Sequence, residues 1–99
     1  MFKENQIMKI TVIGTGFVGV VSAAVYASFG HEVVGLDVDE KKIESLKSSR
    51  VPFFEPQLEE LLQTAQRNGN LTFTTSYQDA ITGSDVIIIA VGTPSSEDG

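Results

Sequence analysis

The strongest constraint on what this chain can fold into is the run Gly14-Thr15-Gly16-Phe17-Val18-Gly19, set between segments of different periodicity. Ahead of it, Ile10 to Ile13 is a short β-branched run that suits a strand buried on both faces of a parallel sheet. Behind it, Phe17 to Phe29 carries apolar residues near the helical period, at Val18, Val21, Ala24, Val25 and Phe29, until Gly30 stops it. Glu32 to Leu36 is again strand-like and closes on Asp37. Strand, glycine turn, helix and strand in this order predict two parallel strands joined by a helical crossover.

The glycines have separate physical tasks. Gly14 permits the tight turn out of the strand. Gly16 lacks a Cβ, so a pyrophosphate can approach the backbone, and Gly19 lets the helix pack closely on the sheet. The helix start offers unpaired N–H groups and a partial positive charge to phosphate, with Thr15 inside the turn and Phe17 and Val18 as donors. Asp37 is placed to accept hydrogen bonds from ribose hydroxyls. Its charge repels the extra phosphate of NADP and no arginine follows it, which favours NAD. Flavin dinucleotides share this fingerprint and remain an alternative. So does a turn that only joins strand to helix, with Asp37 serving as a helix cap.

The rest of the chain repeats the alternation. Asp39 is a candidate cap for a helix to about Lys47, with charges at Glu40, Lys41, Lys42 and Glu44 on a solvated face. Pro52 and Pro56 bracket an extended VPFFEP segment, and Pro56 suits a first helical position. A helix from about Gln57 to Arg67 follows, with Leu58, Leu61, Leu62 and Ala65 inward, and Asn68-Gly69-Asn70 ends it. Leu71 to Thr74 is a short strand, Ser76 caps a short helix to Ile81, and Asp85 to Val91 is a further buried strand ending at Gly92-Thr93-Pro94. The fold expected is α/β: a Rossmann-type parallel sheet with flanking helices, about four strands in the order 3-2-1-4.

Composition narrows the function. The 99 residues are 41% hydrophobic, which fits one small domain without room for a second. Met1 to Met8 is polar and charged, and is expected to be a flexible tail rather than a signal peptide. A net charge of −6 argues against a nucleic-acid partner. There is no cysteine, so disulfide scaffolds and thiolate metal sites are excluded. No apolar stretch is long enough to span a bilayer, and a cytoplasmic location is the default. With a single histidine and no cysteine, no nucleophile–base pair is apparent, and no catalytic residue is assigned. His31 is expected at an exposed turn, Asp85 in a turn, and Phe53, Phe54 and Phe73 as packing residues.

Three segments carry a resemblance to a known family: MKITVIGTGFVGVVSAAVYASFGHEVVGLDVDEKKI, VPFFEPQLEELL and SDVIIIAVGTPSSEDG. Together they span Met8 to Gly99 and resemble the N-terminal domain of the UDP-glucose/GDP-mannose dehydrogenase family. The resemblance implies an NAD-dependent enzyme that oxidises the C6 alcohol of a nucleotide sugar to the carboxylate with two NAD. UDP-glucose is the expected substrate, with GDP-mannose as the alternative. It implies that the glycine turn with Phe17 and Val18 contacts the pyrophosphate, that Asp37 binds the adenosine ribose with help from Lys42, and that Thr93 lies against the cofactor. From the residues alone, Lys42 belongs to a solvated face and Thr93 to an ordinary turn. Gln57 stands where the family more often has glycine, so Glu55 is assigned no contact.

The family's catalytic cysteine, lysine and asparagine and its sugar-nucleotide site are expected beyond Gly99, in a substrate domain absent from these residues. The chain alone is therefore expected to bind cofactor without catalysing the reaction. The larger protein is expected to be a homodimer. A non-catalytic NAD-sensing regulatory module shares the glycines and Asp37, but it does not predict VPFFEP or VGTP.

Overall fold

A computed structural model describes residues 6–53 and 55–91. The elements run β1 (Lys9–Ile13), α1 (Phe17–Ser28), β2 (Glu32–Leu36), α2 (Glu40–Lys47), α3 (Pro56–Arg67), β3 (Leu71–Thr74), α4 (Tyr77–Ile81) and β4 (Val86–Ile89). The four strands form one sheet in the order β3-β2-β1-β4, and every pairing is parallel. This is the Rossmann-type order expected from the sequence.

Strand periodicity divides the core between the two faces of the sheet. Ile10, Val12 and Val33 join Leu71 and Phe73 on the face covered by α1, α2 and α3. Val34 and Leu36 pack with Ala80 of α4 on the opposite face. The chain therefore stays on one face from β1 to β3, then crosses to the other before β4. This reversal makes the gap between β1 and β4 a topological switch point, where ligands of open α/β sheets bind outside the carboxyl ends of the strands.

Local chemistry accounts for the helix ends. Asp39 caps α2, its Oδ1 accepting from the N–H groups of Lys41 at 3.0 Å and Lys42 at 3.2 Å. Ser76 Oγ accepts from the Asp79 N–H at 3.1 Å and caps α4. Pro56 opens α3, where its missing N–H costs nothing. Asp85 Oδ2 accepts from the Lys9 N–H at 2.8 Å and pins the turn before β4 to the start of β1. His31 is half-buried rather than exposed, because its Nδ1 accepts from the Met8 N–H at 3.2 Å. Met8, placed in the tail by the sequence, is thereby anchored, and its carbonyl also accepts from the Glu32 N–H.

The structure corrects three burial expectations. The buried stripe of α1 is Gly19, Val20, Ala23, Ala24 and Ala27, while Val18 and Phe29 are exposed. The helical period is right but its phase is shifted, because the small residues, rather than the large ones, allow α1 to lie close on the sheet. Leu61 of α3 is also exposed, unlike Leu58, Leu62 and Ala65. The third correction is β4, whose residues Val86, Ile87 and Ile89 are exposed rather than buried. Among the described residues it is an outer strand, hydrogen-bonded only to β1.

Candidate functional site

The switch point is occupied by the glycine turn. Gly14 leaves β1 with φ +102°, in the left-handed region that disfavours a side chain. Its N–H donates to the Leu36 carbonyl at 2.8 Å, tying the turn to the end of β2. A Cβ on Gly14 would press on Val91 N and Ala90 C, at 2.9 and 3.0 Å. A Cβ on Gly19 would overlap the Gly14 carbonyl oxygen, so Gly19 is required for α1 to approach the turn.

Gly16 differs from both. Its φ of −76° and ψ of −167° suit any residue, and a Cβ there would meet no atom of the described residues within 4 Å. Neither backbone strain nor packing among the described residues asks for glycine at this position. The open space lies at the start of α1, whose first intrahelical bond runs from the Val20 N–H to the Gly16 carbonyl at 2.9 Å. The preceding N–H groups, including those of Phe17 and Val18, have no intrahelical acceptor. No side chain caps this helix and its first turn holds no acidic residue. An anion brought to Gly16 would meet several N–H donors and no carboxylate from the first turn of α1 itself.

Asp37 stands beside the turn, just past β2. Its Oδ2 accepts from the Thr15 N–H at 2.9 Å and from the Thr15 hydroxyl at 2.7 Å, and its Oδ1 accepts from the Asp39 N–H at 3.0 Å. Partial burial pushes the Asp37 carboxyl up. The Thr15 hydroxyl, the N–H groups of Asp39 and Thr15 and the Lys42 charge outweigh burial and hold its pKa below the usual aspartate range. Asp37 is therefore an ionised acceptor at neutral pH. It does not cap α2, a task that falls to Asp39.

Two clefts adjoin this arrangement. One of about 80 Å³ is lined by Ile13, Gly14, Leu36, Asp37, Val38, Tyr77 and Val91, at the ends of the strands. A larger one of about 400 Å³ runs along α2, with Lys41, Lys42, Arg50 and Pro52 in its wall, and contains none of the glycine turn. The smaller cleft is the better candidate for the adenosine end of a dinucleotide, because it joins Asp37 to the turn. The larger has more volume but reaches neither Asp37 nor the turn, and the carboxylate in its wall, Asp39, already accepts from the N–H groups of Lys41 and Lys42 as the α2 cap.

The structure thus brings Gly14, Thr15, Gly16, Phe17, Val18, Gly19 and Asp37 together. Lys42 is exposed on α2, close enough for its charge to act on Asp37. Thr93 lies outside the described residues. Thr15 is buried with its hydroxyl turned to Asp37, so its side chain supports the acidic residue rather than facing the phosphate space.

Two neighbours of the site escaped the sequence reading. Tyr77 lines the smaller cleft from α4, and no local pattern marks it. Phe53 of VPFFEP packs edge-on against Phe17, with ring centroids 5.2 Å apart and planes at 85°, so the loop braces the start of α1. The sequence marks Phe53 as a packing residue but does not reveal its partner.

These features are matched in known proteins. A UDP-glucose 6-dehydrogenase of Rhizobium meliloti is 51% identical over 88 residues, covering 89% of this chain and 20% of that protein. A GDP-mannose 6-dehydrogenase of Pseudomonas putida is 46% identical over 92 residues, covering 93% of this chain and 21% of that protein. The structure of a UDP-glucose dehydrogenase from Pyrobaculum islandicum matches with a TM-score of 0.85 and 40% identity, over 95% of this chain and 22% of that one. The chain spans about a fifth of the length of these relatives. Residues 8–99 match the UDP-glucose/GDP-mannose dehydrogenase family, NAD binding domain. With its glycine turn at the switch point and an ionised Asp37 beside it, the chain belongs to that family as its NAD-binding domain.

Proposed function

We propose that this chain holds NAD for a nucleotide-sugar dehydrogenase, with the pyrophosphate over Gly16 and the adenosine ribose on Asp37. The observation that carries this reading is the open space at Gly16 beside an uncapped helix start. In this reading Gly14 and Gly19 shape the turn, and the N–H groups of Phe17 and Val18 donate to phosphate oxygens. The Asp37 carboxylate accepts from the ribose hydroxyls, and Lys42 supplies positive charge at the outer edge of the site. Thr93 contacts the cofactor beyond the end of β4. Bound NAD supplies a hydride acceptor; the protein supplies orientation and electrostatics.

The substrate proposed is UDP-glucose, oxidised at its C6 alcohol to UDP-glucuronate. The name of the Rhizobium meliloti relative, at 51% identity, supports it. GDP-mannose is the second reading, supported by the Pseudomonas putida relative at 46% identity. The sugar is bound and oxidised by residues outside this chain, within a protein several times longer.

Calorimetry of the chain with NAD tests the cofactor site. Binding is expected, and Asp37→Ala is expected to weaken it by at least about tenfold, the loss of a hydrogen bond to a charged group. NAD binding that is indifferent to Asp37→Ala would remove the assigned ribose role. Turnover of the full-length protein with each sugar nucleotide, followed as NADH, decides the substrate. Preference for GDP-mannose would overturn the first choice.

A further inference from the structure

We propose that Thr15 is a positioning residue that sets the preference for NAD over NADP by fixing the orientation of the Asp37 carboxylate. The inference rests on the ribose role of Asp37 proposed above. Thr15 is 3% exposed, and it spends both its hydroxyl and its N–H on one oxygen, Asp37 Oδ2. The backbone part of this contact is available to any residue at that position. The hydroxyl part requires serine or threonine.

The two donors determine which way the carboxylate points. Oδ2 is turned into the glycine turn and largely saturated, while Oδ1 receives, among the described residues, only the Asp39 N–H at 3.0 Å and keeps accepting capacity. A carboxylate pinned at three points loses little further freedom when a diol arrives. It also cannot swing away when a 2′-phosphate approaches, so like-charge repulsion against NADP is expressed in full. The same contacts help to keep the carboxyl ionised: after partial burial, which raises its pKa, the Thr15 hydroxyl is the strongest influence, and it lowers the pKa.

Removing the hydroxyl leaves the N–H of Thr15 and that of Asp39 in place but frees the carboxylate to rotate. If the productive orientation falls to between a third and a tenth of the population, NAD affinity falls by the same factor, about 3- to 10-fold. NADP gains from the same freedom. A residue that merely supported the fold would weaken both cofactors alike.

The test is calorimetric titration of Thr15→Val, Thr15→Ala and Thr15→Ser with NAD and NADP, alongside Asp37→Ala. Carbon NMR follows the Asp37 carboxyl titration, and circular dichroism confirms folding. Thr15→Val and Thr15→Ala are expected to weaken NAD about 3- to 10-fold without weakening NADP, and to raise the Asp37 pKa. Thr15→Ser is expected to restore both properties. Equal weakening of NAD and NADP, or an unchanged Asp37 titration, overturns the inference while Asp37→Ala still weakens NAD and the ribose reading stands. An Asp37→Ala variant that binds NAD normally overturns the ribose reading, and this inference with it. If Thr15→Val fails to fold, the Ala and Ser variants decide alone.

Discussion

Replacing Gly16 and Gly19 by alanine separates a glycine kept for a ligand from one kept for the fold. At Gly16 the added methyl meets no atom of the described residues within 4 Å, and the backbone is in an ordinary extended conformation. Alanine is a poorer N-cap than glycine by up to about 1 kcal/mol. The lower entropy of the unfolded chain returns about 0.4–1 kcal/mol. The net change in stability should therefore lie within about 0.5 kcal/mol of zero.

At Gly19 the methyl overlaps the Gly14 carbonyl oxygen, a main-chain atom that cannot step aside by changing rotamer. Overpacking of this kind costs about 3 kcal/mol at the upper end of its usual range. The helix propensity of alanine offsets about 1 kcal/mol. Gly19→Ala should lose about 2 kcal/mol net, a large part of the ~5–15 kcal/mol that holds a domain of this size.

Urea denaturation and NAD calorimetry on the same samples read both effects. Gly16→Ala should unfold at the parent's midpoint yet bind NAD about 10- to 150-fold more weakly, because the methyl would push the pyrophosphate away from at least one charge-assisted N–H bond worth about 1.5–3 kcal/mol. If Gly16→Ala destabilises the chain as much as Gly19→Ala does, the space is not open. If it folds and binds NAD like the parent, the pyrophosphate does not lie there.

Other consequences follow from side-chain contacts. Asp39→Ala removes the α2 cap and should cost about 1 kcal/mol in chemical denaturation. Thr11→Val removes a buried hydroxyl, 2.5 Å from both the Ala80 carbonyl and Ser84 Oγ. It should cost about 0.5–1.5 kcal/mol by the same measurement, the loss of one hydrogen bond, because the Ala80 carbonyl still accepts from the Ser84 hydroxyl. The lowered pKa of Asp37 makes its contribution complete above the ordinary aspartate pKa of about 3.9 and lost as pH falls through its folded value. Asp37→Asn should therefore be less stable than the parent at neutral pH, and the difference should vanish in acid; a gap independent of pH would contradict the ionised, hydrogen-bonded carboxylate.

The sequence made the site legible where chemistry is local. Gly14, Gly19 and Asp37 announce themselves by spacing from a strand end, and Asp39 and Ser76 by position before a helix. The sheet order was accessible because at least one helix separates each strand from the next. What stayed hidden depends on three-dimensional neighbours. The phase of α1 could not be read from its valines, because close packing on the sheet selects Ala23, Ala24 and Ala27. The Thr15–Asp37 pair joins residues 22 apart, and Tyr77 reaches the site only because α4 crosses to the other face of the sheet. The exposure of β4 is likewise a matter of position in the sheet, which its isoleucines do not encode.

The most direct test is amide NMR of the isotopically labelled chain titrated with NAD. The largest shifts are expected at Gly14 to Gly19 and at Asp37 to Asp39, around the turn and the smaller cleft. Shifts confined to Lys41, Ser45 and Arg50 along the larger cleft, or no shifts at all, would contradict the assignment of the cofactor to the glycine turn.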